Sequence, residues 1–314
     1  MSGAPLAHAL APAKVNLGLF LGPLREDGKH ELVTVMQSIS LADALTLEWA
    51  SADTNEDEVV CPGVPGPSAE NLAATAMRAF RSATGWNAPP LRLSIVKRIP
   101  VAGGLGGGSA DAAGALRLLQ LVSGQGDETL LRRLGAELGA DVSAQIAPGR
   151  WLATGAGELL EPLPDPNPAS FGLLVLPVAV ALSTAAVYAE ADRLDLARST
   201  EALREPRRGL RRAFELSAAV PAASELLHND LQQAAISLCP EIAVALTEAR
   251  EAGADHALVS GSGPTVVGLF PRANGLGRAE RAAAGLAAAR RSAGGPAPAC
   301  ATPVDAAFGR ATSA

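Results

Sequence analysis

Lysine is nearly absent from this chain of 314 residues: it occurs only at Lys14, Lys29 and Lys97, and arginine carries the remaining positive charge. A sequence that builds its surface from arginine keeps lysine where a compact ammonium matters, so the three positions are pointers to chemistry. Aromatic residues make up 3% and tyrosine occurs once, at Tyr188, so a core must rely on Ala, Leu and Val; the 48% hydrophobic content is enough for a sizeable one. Cys61, Cys239 and Cys300 are few, odd in number and far apart. They suggest no disulfide framework and show no metal or redox spacing. No uncharged apolar run reaches the roughly 18 residues of a membrane span, and Phe171–Leu182 is too short to cross a bilayer. Residues 1–13 lack a basic segment followed by an apolar core, so they do not read as a signal peptide. The net charge of −6 and pI near 5.3 exclude a broad basic surface for nucleic acid. The expectation is a soluble cytoplasmic protein, monomer or homodimer, without nucleic-acid or membrane partners.

What the chain has in abundance is glycine at one place. Five glycines fall in the six positions Gly103 to Gly108, inside Pro100-Val-Ala-Gly-Gly-Leu-Gly-Gly-Gly-Ser-Ala110. An apolar strand-like run, Leu91–Val96, precedes them and a helix-forming run, Ala112–Val122, follows. Strand, glycine loop and helix start can together hold phosphate: glycine lets the backbone approach closely, and the free N–H groups and dipole of a helix N-terminus attract an anion. The loop is not a P-loop, because Ser109 occupies the lysine position, and not a dinucleotide fingerprint, because Ser109 replaces the third glycine. The bland alternative is a flexible linker or tight turn in a glycine-rich chain.

Along the chain, residues 9–21 read as a strand interrupted by polar groups, 23–30 as a charged turn, and Val33–Ile39 and Ala44–Trp49 as two further strands. Helices are expected at Glu70–Ser82, 112–122, Leu130–Leu138, Thr184–Leu194, Leu226–Ala235, Pro240–Gly253 and Arg278–Ala293. Strands are expected at Gly172–Pro177, Ala257–Val259 and Thr265–Phe270. The arginine-rich 195–215 segment is helical or mobile. Alternating prolines in Pro162–Pro168 cannot continue a helix or central strand and mark the best linker. Strands and helices mix without regular βαβ alternation, which favours an α+β fold over a doubly wound sheet. Two domains are expected, 1–165 and 166–314, with a flexible Ala- and Pro-rich tail after about residue 295.

Three separated segments, Pro12-Ala-Lys-Val-Asn-Leu17, the glycine loop and Val259-Ser-Gly-Ser-Gly-Pro-Thr265, resemble in order and character the three motifs of the GHMP small-molecule kinases. Arg25-Glu-Asp-Gly-Lys-His30, Leu138-Gly-Ala-Asp-Val142, Ser183–Tyr188 and Asn229-Asp-Leu-Gln232 narrow the resemblance to the branch acting on 4-diphosphocytidyl-2-C-methylerythritol. The resemblance runs from about Ala11 to about Phe270. It implies a two-domain GHMP kinase fold, with an N-terminal domain like domain 2 of ribosomal protein S5 and a ferredoxin-like C-terminal domain. It also implies ATP and Mg²⁺ as cofactors and a cytidine diphosphate-linked methylerythritol as the acceptor, phosphorylated on its 2-hydroxyl.

By the same resemblance Asp141 would take the hydroxyl proton, and Lys14 would stabilise charge beside it. Asn16 would orient the acceptor. Pro100, Val101, Ala102, Gly103, Gly104, Leu105, Gly106, Gly107, Gly108, Ser109 and Ala110 would hold the ATP phosphates, with Ser109 on a phosphate oxygen or magnesium. Asn71 and Lys97 would line the adenine pocket, His30 would contact the cytosine, Tyr188 would stack on it, and Gly261, Ser262 and Gly263 would close over the site. Each has a structural rival. Asp141 and Asn71 are helix-cap residue types, Asp111 can complement the helix dipole, Lys14 and Lys97 can be solvated, His30 suits a turn, and Ser260–Pro264 suits a tight hairpin. The chain also departs from the family's pattern. Lys29 stands where a stacking tyrosine is usual, Ser143 and Ala144 replace Pro and Phe after the aspartate, and Arg150 and Trp151 add bulk nearby, with Trp151 either restoring a stacking surface or joining the core. These departures keep two rivals open: a related kinase with a different alcohol acceptor, and a non-catalytic nucleotide-binding relative.

Overall fold

The computed structural model describes residues 4–165, 167, 170–216, 220, 224–271 and 274–314. It opens on an antiparallel ribbon of two 20-residue strands, β1 (Pro5–Leu24) and β2 (His30–Trp49). The two strands read separately at 33–39 and 44–49 are one. Pro12 pairs with Ala42 and Ala13 with Ile39, so the register shifts there and Ser40 and Leu41 bulge out. Pro12 has no N–H to offer the ladder, which explains why the irregularity sits opposite it.

Next come β3 (Glu58–Val60), α1 (Leu72–Thr84) and β4 (Leu91–Val96), followed by three helices: α2 (Gly107–Ser123), α3 (Glu128–Leu138) and α4 (Ala140–Gln145). The hairpin β5 (Arg150–Thr154) and β6 (Leu159–Leu163) completes this part. The long β2 is shared: residues 44–49 pair with β4 and residues 34–37 with β5. Helix α2 is buried on most of its length and lies against the ribbon through small residues; a Cβ on Gly114 would stand 2.7 Å from Leu45. This is how an aromatic-poor core closes: alanine and glycine let helix and sheet approach, and leucine and valine fill the layer between.

The proposed linker Pro162–Pro168 falls partly outside the described residues, at 166 and 168. Beyond it lie β7 (Gly172–Leu176), α5 (Thr184–Arg193), α6 (Arg204–Leu216), α7 (Gln232–Leu238), α8 (Glu241–Glu251), β8 (His256–Val259), β9 (Val266–Phe270), α9 (Gly275–Ser292), β10 (Ala299–Ala301) and β11 (Thr312–Ser313). The second sheet runs β10-β7-β9-β8. That is fourth, first, third, second in chain order, the ferredoxin-like arrangement. The α+β expectation holds. Helix α7 begins at Gln232, later than expected, because Asn229 makes a parallel bridge with Leu19 of β1 instead of entering a helix.

The flexible tail is a correction. Composition alone marks residues after 295 as disordered, yet β10 pairs with β7. The chain then returns to the first sheet: Thr302 O accepts from Ser40 N at 2.8 Å, Val304 N donates to Ser38 O at 3.0 Å, and β11 pairs with β1. Tertiary pairing at a sheet edge outweighs the low propensity of an Ala/Pro-rich run.

Candidate active site

Lys14 and Asn16 are two apart on β1 and therefore share one face. Both are buried. Lys14 Nζ donates to Asn16 Oδ1 at 2.8 Å, and Asn16 Nδ2 donates to Thr34 Oγ1 at 2.8 Å on the facing strand. The surface-lysine reading therefore fails at Lys14. Asp141 Oδ2 stands 3.4 Å from Lys14 Nζ. Asp141 is not the cap of its helix: Gly139 occupies that position, and Asp141 lies in the first turn of α4 with its side chain free to face the lysine.

The glycine loop packs directly over this pair. Gly104 and Gly106 adopt left-handed φ of 72° and 68°, and Gly106 caps α2. The first amides of α2 have no earlier turn to bond and face outward, as anion binding requires. A Cβ on Gly106 would sit 3.0 Å from the Lys14 stem and 3.6 Å from Asp141 Oδ2, so loop, lysine and aspartate meet at one point. The turn between β8 and β9 is both a hairpin and a lid on the same point. Ser260 Oγ donates to Gly104 O at 3.3 Å, and a Cβ on Gly261 would meet Asn16 Oδ1 at 3.1 Å. Asn229, which reasoning on single residues missed, braces that turn: its amide donates to Val259 O at 2.8 Å and Gly261 O at 2.7 Å. Its only signal in sequence was its place in Asn229-Asp-Leu-Gln232.

Gly104 gives a sharp stability test. An alanine Cβ would lie 2.5 Å from Gly263 O and 2.8 Å from Ser260 O, both backbone, at a φ that side chains resist. Left-handed strain and overpacking together predict that Gly104→Ala costs about 2–4 kcal/mol. Urea unfolding would check this; a midpoint equal to the parent's would show that the loop and the turn separate freely.

Two cavities flank the loop. One of about 530 Å³ is lined by Pro100–Ser109, Asn71, Lys97, Cys61 and Asp111. The other, about 420 Å³, is lined by Lys14, Asn16, Asp141, Thr184, Tyr188, Gly261 and Ser262. They share Gly104, Gly106 and Ser109. Both have the size of a small-ligand site. Ser262 Oγ and Thr184 Oγ1 are 3.0 Å apart, joining the turn to α5. Among the other predicted residues, Ala110 lies buried in the first turn of α2, and Gly263 supports Gly104 from below. A larger cleft of about 1230 Å³ runs along α6, but none of the motifs reaches it. Several of its arginines are already paired, Arg204 with Glu201 and Arg198 with Asp230.

His30 is not brought into either cavity. Its ring is buried behind Tyr188 at a centroid distance of 5.4 Å, Nδ1 lies 2.9 Å from Gly22 O and Nε2 lies 3.1 Å from Asp192. The ring stands beneath the aromatic, with Nδ1 on the Gly22 carbonyl and Nε2 beside the Asp192 carboxylate without a hydrogen bond to it. Tyr188 lines the smaller of the two cavities. Ring and Asp141 carboxylate line the same cavity; burial first, and the negative charge of Asp141 second, push its phenol up to about 12. Lys29 is exposed on the turn before β2 and lines neither cavity. Arg150 is buried, donates Nε to Gln37 Oε1 at 2.8 Å and lies over the Phe214 ring. Trp151 packs beside Ala144 and Met36 under the Arg132 guanidinium. Arg150 is a core group; Trp151 is partly buried against Ala144 and lines neither cavity.

Asn71 lines the larger of the two cavities that flank the loop and also caps α1, accepting from Ala73 N at 2.9 Å. Lys97 is not solvated. It is ion-paired with buried Asp43 and with Asp111, the latter at 2.7 Å. Asp43 also accepts from Arg98 N and Ile99 N at 2.5 and 2.9 Å. Two carboxylates thus converge on one ammonium, and Asp111 Oδ1 has no hydrogen-bond partner. Burial pushes the Asp111 carboxyl up to about 7 against the pull of Lys97. Its contribution to stability is therefore full below the ordinary carboxylate range and is lost as pH rises through about 7. Asp111→Asn is expected to gain stability relative to the parent between pH 5 and pH 8. Urea midpoints at the two pH values would check this, and a constant difference would refute it.

Comparison with known proteins fits this geometry. The family described as GHMP kinases N terminal domain matches residues 71–149, and GHMP kinases C terminal matches residues 209–290. The chain belongs to the GHMP kinase family. A relative from Nocardia farcinica is 42% identical over 92% of this chain and 93% of its own, and one from Salinispora tropica is 42% identical over 88% and 86%. Both are named 4-diphosphocytidyl-2-C-methyl-D-erythritol kinase, and this chain falls within that branch of the family. A crystal structure of 4-(cytidine 5'-diphospho)-2C-methyl-D-erythritol kinase superimposes with TM-score 0.74 at 33% identity, covering 94% of this chain and 98% of the other. Homoserine kinase from Cytophaga hutchinsonii, at 15% identity and TM-score 0.70, shares the fold.

Proposed function

We propose that this chain transfers the γ-phosphoryl group of ATP to the 2-hydroxyl of 4-diphosphocytidyl-2-C-methyl-D-erythritol, a cytoplasmic step in isoprenoid precursor synthesis. The observation that carries the reading is the Lys14–Asp141 pair standing where two cavities meet at the N-terminus of α2. In-line transfer needs a nucleotide on one side, an alcohol on the other and charge stabilisation between. The first cavity and the amides of α2 hold the nucleotide, and the second cavity holds the acceptor. Asp141 accepts the hydroxyl proton as the oxygen attacks. Lys14 stabilises charge on the transferring group. Asn16, fixed by Lys14 and Thr34, orients the alcohol, and Tyr188 offers one face to the cytosine.

Mg²⁺ fits this donor set. The Ser109 hydroxyl stands at the junction, and hydroxyl and phosphate oxygens are the hard ligands magnesium takes. When bound with ATP, the ion neutralises phosphate charge.

ADP release from ATP and Mg²⁺, with and without the cytidylyl acceptor, tests the reading. Strong stimulation is expected. ATP binding without stimulation would point to another alcohol, the alternative that Lys29 in place of a stacking tyrosine favours; no ATP binding would remove the kinase reading altogether.

A further inference from the structure

Asp141 stands on a helix of six residues, too short to hold a side chain in place by its own hydrogen bonds. Gln145 lies one turn further along, on the same face. It is 1% exposed and lines neither cavity. Its Nε2 donates to Pro12 O at 2.7 Å, and its Oε1 accepts from Ser38 Oγ at 3.0 Å. Its backbone carbonyl accepts from Arg117 Nη1, and Arg117 Nη2 donates to Leu10 O at 2.9 Å.

These partners frame the reactive pair. Pro12 precedes Lys14 by two residues on β1, and Ser38 is the register partner of Lys14 on β2. Ser38 Oγ also accepts from Gly149 N at 3.1 Å, which ties down the chain leaving α4. Arg117 belongs to α2, the helix whose N-terminus carries the glycine loop. Arg117 is buried, and desolvation lowers its guanidinium to about 10. One residue of the Asp141 helix therefore bonds β1 and β2 beside Lys14 through its side-chain amide and the helix of the phosphate loop through its backbone carbonyl. A buried amide is expensive unless both ends are bonded, and here both ends go to the frame of Lys14.

We infer that Gln145 is a positioning residue that sets the Lys14–Asp141 separation for phosphoryl transfer, with Arg117 linking that setting to the phosphate helix; this rests on the kinase reading above. Gln145→Met keeps the length of the side chain and removes both side-chain bonds. Because misplacement of a reacting group by about 1 Å can cost up to 10²-fold, turnover per ATP-binding site is expected to fall about 10- to 100-fold. ATP affinity, measured by equilibrium binding, is expected to stay within about twofold of the parent's, because the amides of α2 are untouched.

A cycle with Asp141→Asn separates positioning from mere support. If Gln145 acts through Asp141, Gln145→Met costs less than about twofold in the Asp141→Asn background. The same factor in both backgrounds, or full turnover per site in Gln145→Met alone, overturns the proposal. Should Gln145→Met fail to fold, Ser38→Ala removes one arm of the clamp and is expected to show a smaller loss with the same non-additivity. A crystal structure of either variant gives a readout independent of turnover. The parent separation of 3.4 Å between Lys14 Nζ and Asp141 Oδ2 is expected to lengthen, and an unchanged distance counts against the clamp. If the parent binds no ATP, the kinase reading fails, and that distance still decides the positioning role.

Discussion

Asp141→Asn is expected to lower turnover by about 10²- to 10⁴-fold, the usual worth of a positioned general base. The amide is nearly isosteric, and Asp141 carries no capping bond for α4, since Gly139 holds the cap position. The backbone of the helix therefore has no reason to move. ATP affinity is expected to stay within about twofold of the parent's, because the substituted atom faces Lys14 and the cavity proposed for the acceptor and does not line the one proposed for the nucleotide. Equilibrium nucleotide binding and saturating-substrate turnover on the same preparation separate the two effects. Turnover within threefold of the parent's, about 0.65 kcal/mol of barrier, would mean that the proton leaves by another route and that Asp141 serves only to hold Lys14.

The same residue shows how much of the site was legible before any coordinates. Gly-Ala-Asp-Val placed Asp141 after a helix stop, where composition alone favours a cap, and only its company with Pro-Ala-Lys-Val-Asn and the glycine loop argued for chemistry. The loop itself was readable because strand, glycines and helix follow one another within twenty residues. Other parts are written across distance. Asp43, Lys97 and Asp111 come from β2, the end of β4 and α2, and nothing local says that one lysine serves two carboxylates. Gln145 looks like an ordinary helix-end amide until β1 and β2 are laid beside it. The surroundings of His30 are written across distance too: the Gly22 carbonyl and the Asp192 carboxylate, which flank its ring behind Tyr188, lie outside its motif. The tail was misread because strand pairing at an edge depends on the partner, and the partners of residues 299–313 lie in β7, β2 and β1.

Lys14→Met is expected to cost about 10²- to 10³-fold in turnover, the worth of one preorganised electrostatic stabiliser in a site shielded from water. Methionine preserves the stem that packs against the backbone of Gly106 and removes only the ammonium. That loss has two consequences. The developing charge between the cavities loses its cation, and Asn16 Oδ1, buried and served by Lys14 at 2.8 Å, loses its donor. The second consequence destabilises the fold by about 1–3 kcal/mol, so turnover must be counted per ATP-binding site to expose the first. Lys14→Arg is not expected to restore activity. The guanidinium is broad and planar, while the ammonium sits under Gly106 and Gly261, where added Cβ atoms would already meet the lysine stem at 3.0 Å and Nζ at 3.6 Å. The double variant Lys14→Met/Asp141→Asn is expected to be little worse than either single one, because residues that act as a unit lose their function together. If the losses multiply instead, lysine and aspartate stabilise the transition state independently, and the 3.4 Å contact between them is incidental to the chemistry.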